Sequence, residues 1–121
     1  MRLSEIDFGA AQAVEGYGPD FFRIGGVAHP APLLIVPGQV QPWGGYQDAE
    51  PLLALAGQVD VLFIGTGGAI AHIPPDLRAQ LEEAGLGVEI MDSPAACRTY
   101  NVLLSEQRRV ALALLPVQPG A

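Results

Sequence analysis

The chain has 121 residues, half of them hydrophobic, with six arginines, no lysine, thirteen carboxylates and a formal net charge of −7. That length holds one core and is too short for two comfortable domains, so a single domain over residues 1–121 is expected. The charge repels polyanions, which disfavours nucleic acid as a partner. Apolar runs such as Ala31–Pro37 and Val59–Ile64 fall far below the roughly twenty residues of a membrane helix, so no transmembrane segment is expected.

Folding a chain of this size hides roughly two-thirds of its unfolded surface, so neither a disulfide nor a structural metal is needed to hold it. Cys97 is the single cysteine and has no partner in a CxxC pair. A reducing compartment is therefore expected, with no metal and no cofactor. The opening Met1-Arg2-Leu3-Ser4-Glu5-Ile6-Asp7 has early acids and no apolar core, resembling neither a signal nor a transit peptide. The expected location is cytoplasmic.

From Ile6 to Pro42 short β-prone runs alternate with turn formers. Gly16-Tyr17-Gly18-Pro19 and Gly25-Gly26 flank a strand at Phe21–Ile24, and Pro37-Gly38 ends a strand at Leu33–Val36. Glycine supplies positive φ and proline fixes the entry angle, so this part is read as hairpin-rich. The segment Gln39–Tyr46 reads as a loop, and Asp48 is a candidate N-cap for a helix over Ala49–Leu55.

After Gly57 the alternation is regular: strand Val59–Ile64, loop Gly65–Ile73, helix Pro74–Ala84, strand Val88–Met91, helix Pro94–Ser105, strand Arg109–Leu115. Continuously apolar strands separated by helices imply a βαβαβ run with right-handed parallel crossovers. Asp92-Ser93-Pro94 places an N-cap oxygen beside a proline whose missing N–H costs nothing at a helix start. The end of the chain, about residues 117–121, is expected to fray.

Two segments carry candidate chemistry. Gly65-Thr66-Gly67-Gly68 follows a buried strand at the sheet edge where open α/β folds place ligands. It lacks the glycine at Ile70 of a dinucleotide fingerprint and the lysine of a Walker loop. It is either a structural turn or one wall of a small-ligand cleft. Asp92 to Asn101 starts at the end of the neighbouring strand. Gly65, Thr66, Gly67, Gly68, Asp92, Arg98 and Asn101 are thus ligand-binding candidates on a shared rim. Arg98 could reach Asp92 or a ligand anion.

Cys97 is either a small buried hydrophobe or a nucleophile paired with His72 and oriented by Asp92. His29 reads as a surface turn residue. Two histidines and one cysteine at unrelated spacings make no metal-ligand set, and the adjacent Glu82-Glu83 read as a solvated helix surface. Trp43 and Tyr46, set among glycines and a proline, are either partner-binding anchors or side chains tucked under their own loop.

The run Met91–Glu106, preceded by Asp60-Val61-Leu62-Phe63-Ile64-Gly65-Thr66-Gly67 and by Gly16-Tyr17-Gly18, Phe22-Arg23-Ile24 and Pro42-Trp43, resembles a known family. These are the proteins of domain of unknown function 498, related to NADH dehydrogenase (complex I) assembly factor 3. The family has threonine where this chain has Ser93, which keeps the hydroxyl. The resemblance implies a three-layer β/β/α fold with a mixed central sheet, self-association, and in mitochondria a part in assembling the respiratory NADH dehydrogenase. It carries no established catalytic residues. The absence of lysine and the Ala/Gly/Pro/Arg richness suit a bacterial member.

The leading expectation is therefore a non-catalytic accessory factor that binds a protein partner. The alternative is a small-molecule binder or enzyme with its site at the rim of Gly65–Gly68 and Asp92–Asn101.

Overall fold

The described residues, 12–118 of a computed structural model, form β1 (Val14–Tyr17), β2 (Phe21–Ile24), β3 (Val27–Pro30), β4 (Leu33–Val36), β5 (Gln39–Pro42), α1 (Glu50–Leu53), β6 (Val61–Gly65), α2 (Pro75–Glu83), β7 (Gly87–Met91), α3 (Ser93–Ser105) and β8 (Val110–Leu114). The β-prone start at Ile6 and residues 119–121 of the tail expected to fray from about 117 lie outside these residues, whereas Val117 packs on the core and Gln118 N–H is bonded to Pro19 O. Five strands make a mixed sheet in the order β5-β4-β8-β6-β7, and β1-β2-β3 make a smaller antiparallel sheet.

The two most continuously apolar strands sit at the middle of the larger sheet. β6 pairs in parallel with both β7 and β8, whereas β4 and β5 add antiparallel strands beyond β8. Period-two alternation then splits their side chains between two cores. Leu34, Leu62, Ile64, Ala111 and Ala113 face a cluster closed by Leu52 of α1 and by Leu77 and Leu81 of α2. Leu33, Ile35, Phe63, Val110, Leu112 and Leu114 face a second cluster, closed by Ala96, Cys97, Tyr100 and Leu104 of α3 together with Val14, Phe22 and Ile24 of the small sheet.

The fold is thus α/β in three layers, and α3 shares one outer layer with the small sheet. The crossover from β6 to β7 moves one way through α2, and that from β7 to β8 moves back through α3 on the other face. Crossovers of one hand require this switch of faces when the direction reverses.

Local chemistry explains the helix ends. Asp92 caps α3 by accepting from Ala95 N–H at 2.8 Å. At the other end Gln107 takes φ 64° while Gln107 and Arg108 N–H return to the carbonyls of Leu104 and Leu103, a Schellman closure on a residue other than glycine. Arg109 then enters β8 and pairs with Asp60 at 2.8 Å in an exposed contact; the guanidinium holds the Asp60 carboxyl below its ordinary value.

The structure differs from expectation at three places. α1 is shorter than Ala49–Leu55 and is capped at Ala49 with no side-chain bond, because the Asp48 carboxylate accepts instead from Gly44 N–H at 2.9 Å. The segments read as turn and loop at Gly16-Tyr17 and Gln39–Pro42 are strands β1 and β5; their neighbours in the sheet override weak local preference. β3 likewise contains His29.

Replacement Gln107→Gly removes the left-handed strain at the end of α3. It should raise unfolding free energy by about 0.5–1 kcal/mol, read as a higher urea midpoint at unchanged slope.

Candidate functional site

Parallel strands end together, so β6 and β7 deliver the glycine loop and the start of α3 to one border. The contact between them is direct. Ser93 N–H donates to Gly67 O at 2.7 Å, Gly67 N–H donates to Ser93 Oγ at 2.9 Å, and Ser93 Oγ donates to Leu115 O at 2.8 Å. Thr66 N–H donates to Met91 O at 2.8 Å. Ser93 is completely buried, the one buried polar side chain among the described residues.

The glycines serve close approach here. A Cβ on Gly65 would lie 2.7 Å from Ser93 Cα and 2.8 Å from a methyl of Leu114, and one on Gly68 would lie 2.7 Å from Val117 O. These contacts fill the border with protein atoms. The chain beyond β8 is part of the same packing, and Gln118 N–H donates to Pro19 O at 2.8 Å.

The remaining candidates divide as follows. Asp92 is engaged by Ala95 N–H at the start of α3. Arg98 is exposed and forms no ion pair with Asp92 among the described residues. Asn101 clamps β1, accepting from Val14 N–H at 2.9 Å and donating to Val14 O at 2.8 Å. Cys97 is buried against the central sheet, and desolvation pushes its thiol up to about 12, opposed by the Arg98 charge. Tyr100, one turn on, is raised by the same burial and donates through its hydroxyl to Gln12 O.

His72 is not brought to Cys97. It is exposed and lines a groove of about 560 Å³ with Ile70, Ala71, Ile73, Pro75, Arg78 and Ile90. Ile73 and Ile90 belong to the cluster on the α2 face, whereas Cys97 belongs to the cluster on the opposite face.

Trp43 is 3 % exposed, sits in the α1/α2 core and donates through Nε1 to Asp48 O at 2.9 Å. Tyr46 meets it edge-on with ring centroids 6.0 Å apart and packs on the same cluster. Burial raises the Tyr46 hydroxyl. Both therefore tuck under their loop.

Sequence reasoning passed over two features. Ser93 reads as half of a cap, yet its hydroxyl crosses to β6 and β8. Ile70 is 65 % exposed in a loop; an apolar pair, Ile70 and Ile73, in an otherwise small-residue stretch was the available signal. Among the described residues no group of three or more His, Cys, Asp or Glu could hold a metal, and no helix is long and apolar enough to cross a membrane.

Ser93→Ala leaves the buried Gly67 N–H and Leu115 carbonyl without their partner. It should cost about 2–3 kcal/mol in denaturant unfolding, while Ser93→Thr, which keeps the hydroxyl, should retain most of that. For Cys97, iodoacetamide at pH 8 should label the native chain about a hundredfold more slowly than the unfolded chain. Because folding raises the thiol from an ordinary 9.0 to about 12, its stabilising share is whole below pH 9 and lost as pH climbs toward 12; Cys97→Ala should flatten that part of the stability profile.

Comparison with known proteins identifies the family. The family described as a protein of unknown function (DUF498/DUF598) matches residues 14–115. An uncharacterised protein of Rhodobacter capsulatus is 51% identical over 121 residues, covering 100% of this chain and 97% of its own. NADH dehydrogenase [ubiquinone] 1 alpha subcomplex assembly factor 3 of Danio rerio is 33% identical over 128 residues, covering 100% of this chain and 74% of that protein. Among solved structures, an outer membrane protein from Bartonella henselae superposes with a TM-score of 0.80 at 31% identity, covering 88% of this chain and 95% of that one. The chain therefore belongs to the DUF498/DUF598 family and is homologous to the complex I assembly factors.

Proposed function

We propose that this chain is a non-catalytic accessory factor in the assembly of a respiratory NADH dehydrogenase, working in the cytoplasm by contact with a protein partner. The observation that carries the reading is its 33% identity, over the whole of its length, to an assembly factor 3. The state of the side chains supports it. The thiol is buried and kept protonated, Asn101 is spent on β1, and the rim is filled by Ser93 and the backbone around it. The alternative of a small-molecule site at that rim finds no support in this arrangement.

An accessory of this kind is absent from the finished enzyme's chemistry but needed for its amount. Deleting the gene from its host should lower membrane NADH:quinone reductase activity several-fold and replace the intact complex with smaller subassemblies on native gels. Succinate oxidation should be unchanged. Restoration by the Cys97→Ala chain should be complete; an intact complex at normal level in the deletion strain would end the proposal.

A further inference from the structure

The edge of the larger sheet at β7 is open in a specific way. Gly87 N–H donates to Asp60 O at 3.2 Å and Thr66 N–H donates to Met91 O at 2.8 Å. In a parallel ladder a residue turns its N–H and C=O to the same side, so Gly87, Glu89 and Met91 face β6. Val88 and Ile90 then turn two N–H and two C=O groups away from the sheet. β7 is the last strand in the order, and no hydrogen bond reaches these groups from the other described residues. The strand Gly-Val-Glu-Ile-Met has no proline or lysine, two of the devices that usually blunt an edge.

At the far end of this strand lies the groove of about 560 Å³, with Ile90, Ile73 and Ile70 on its walls. Ile70 does not fold back into the core because its loop is pinned. Thr66 Oγ1 donates to Ala69 O at 2.8 Å and accepts from Ala71 N–H at 3.1 Å. An apolar side chain is thus held in water beside backbone groups that have no partner among the described residues. The charges are graded along the same edge. α2 returns to the start of β7 through a short turn, so Glu82 and Glu83 stand near that start and Glu89 lies midway. Among the described residues two guanidiniums stand near this edge and both are engaged, Arg78 by Glu82 at 3.0 Å and Arg109, beside the start of β7, by Asp60 at 2.8 Å.

We propose that the β7 edge and its groove take up, as an added strand, an extended partner segment that is basic where it lies near Glu83 and Glu89 and apolar where it enters the groove beside Ile70 and Ile90. Main-chain bonds to Val88 and Ile90 supply affinity, and the groove and the carboxylates select the sequence. A second copy fits less well, because β7 brings Glu89 and no cation to the pairing. The inference rests on the assembly reading for why a partner exists, and it names the surface that partner uses.

The probe is a set of peptides of about eight residues with Lys or Arg in one half and Val or Ile alternating with Thr in the other, titrated into the isotope-labelled full chain. Amide exchange at Val88 and Ile90 should slow about tenfold or more, with Glu89 unchanged. Ile70→Asp should weaken binding about tenfold, the worth of one lost apolar anchor. The double variant Glu83→Lys, Glu89→Lys should transfer preference to peptides carrying Glu in place of Lys. Absence of binding by the whole set at millimolar concentration, or binding that leaves Val88 and Ile90 unchanged, overturns the proposal. So does a concentration-dependent dimer that protects the same two amides, which would assign the edge to a second copy. If the Ile70→Asp chain still restores the deletion strain in full, the docking surface is refuted while the assembly reading stands. If the deletion has no effect, the assembly reading is refuted and the titration alone judges the edge.

Discussion

One hydroxyl ties the C-terminal half of this protein together. Ser93 Oγ accepts from Gly67 and donates to Leu115 at a point with no solvent. Those bonds join the exit of β6, the entry of α3 and the exit of β8. A sheet that reverses its winding direction leaves its chain crossings at this end, and each crossing exposes backbone polar groups that must find partners. A side chain with one donor and two acceptor positions meets two of those needs at once. Gly65 completes the arrangement, since a methyl group there would strike Ser93 and Leu114.

That junction has a functional consequence. In open α/β sheets the crevice at a reversal of winding is where ligands bind, and here the same crevice is filled by the protein's own backbone and by Ser93. The groups with chemical potential nearby are committed to structure. Asn101 holds β1 by both its amide atoms, which couples the small sheet to α3, and Cys97 packs against the central sheet with its thiol protonated. What is left exposed includes the β7 edge and the loop at Ile70, the kind of surface that protein contacts use.

Much of the fold was legible because burial on both faces leaves a plain mark. Val61-Leu62-Phe63-Ile64 reads as a strand buried on both faces, Arg109–Leu115 as the last strand of the parallel run, and Asp92-Ser93-Pro94 as a helix start; all follow from rules that act over a few residues. β1 and β5 were harder. Gly16 and Pro42 carry turn chemistry, and these strands exist because β2 and β4 supply partners from elsewhere in the chain. Asp48 shows the same limit in a smaller space: its carboxylate had two possible amides to accept from, and the loop amide of Gly44 won over the helix end. Which of two nearby donors a short acidic side chain takes depends on the path of the backbone.

By itself the sequence determined the α/β class, the parallel run in the second half, the positions of the main strands and helices, and the family. These depend on periodicity and on motifs in which every interacting residue is near in the chain. The tertiary structure alone decided that α3 joins the small sheet in one layer, that His72 and Cys97 lie on opposite faces of the central sheet, and that Ser93 closes the crevice beside Gly65. Those outcomes turn on which strand lies beside which and on which face each crossover takes, and no local spacing encodes the choice of face.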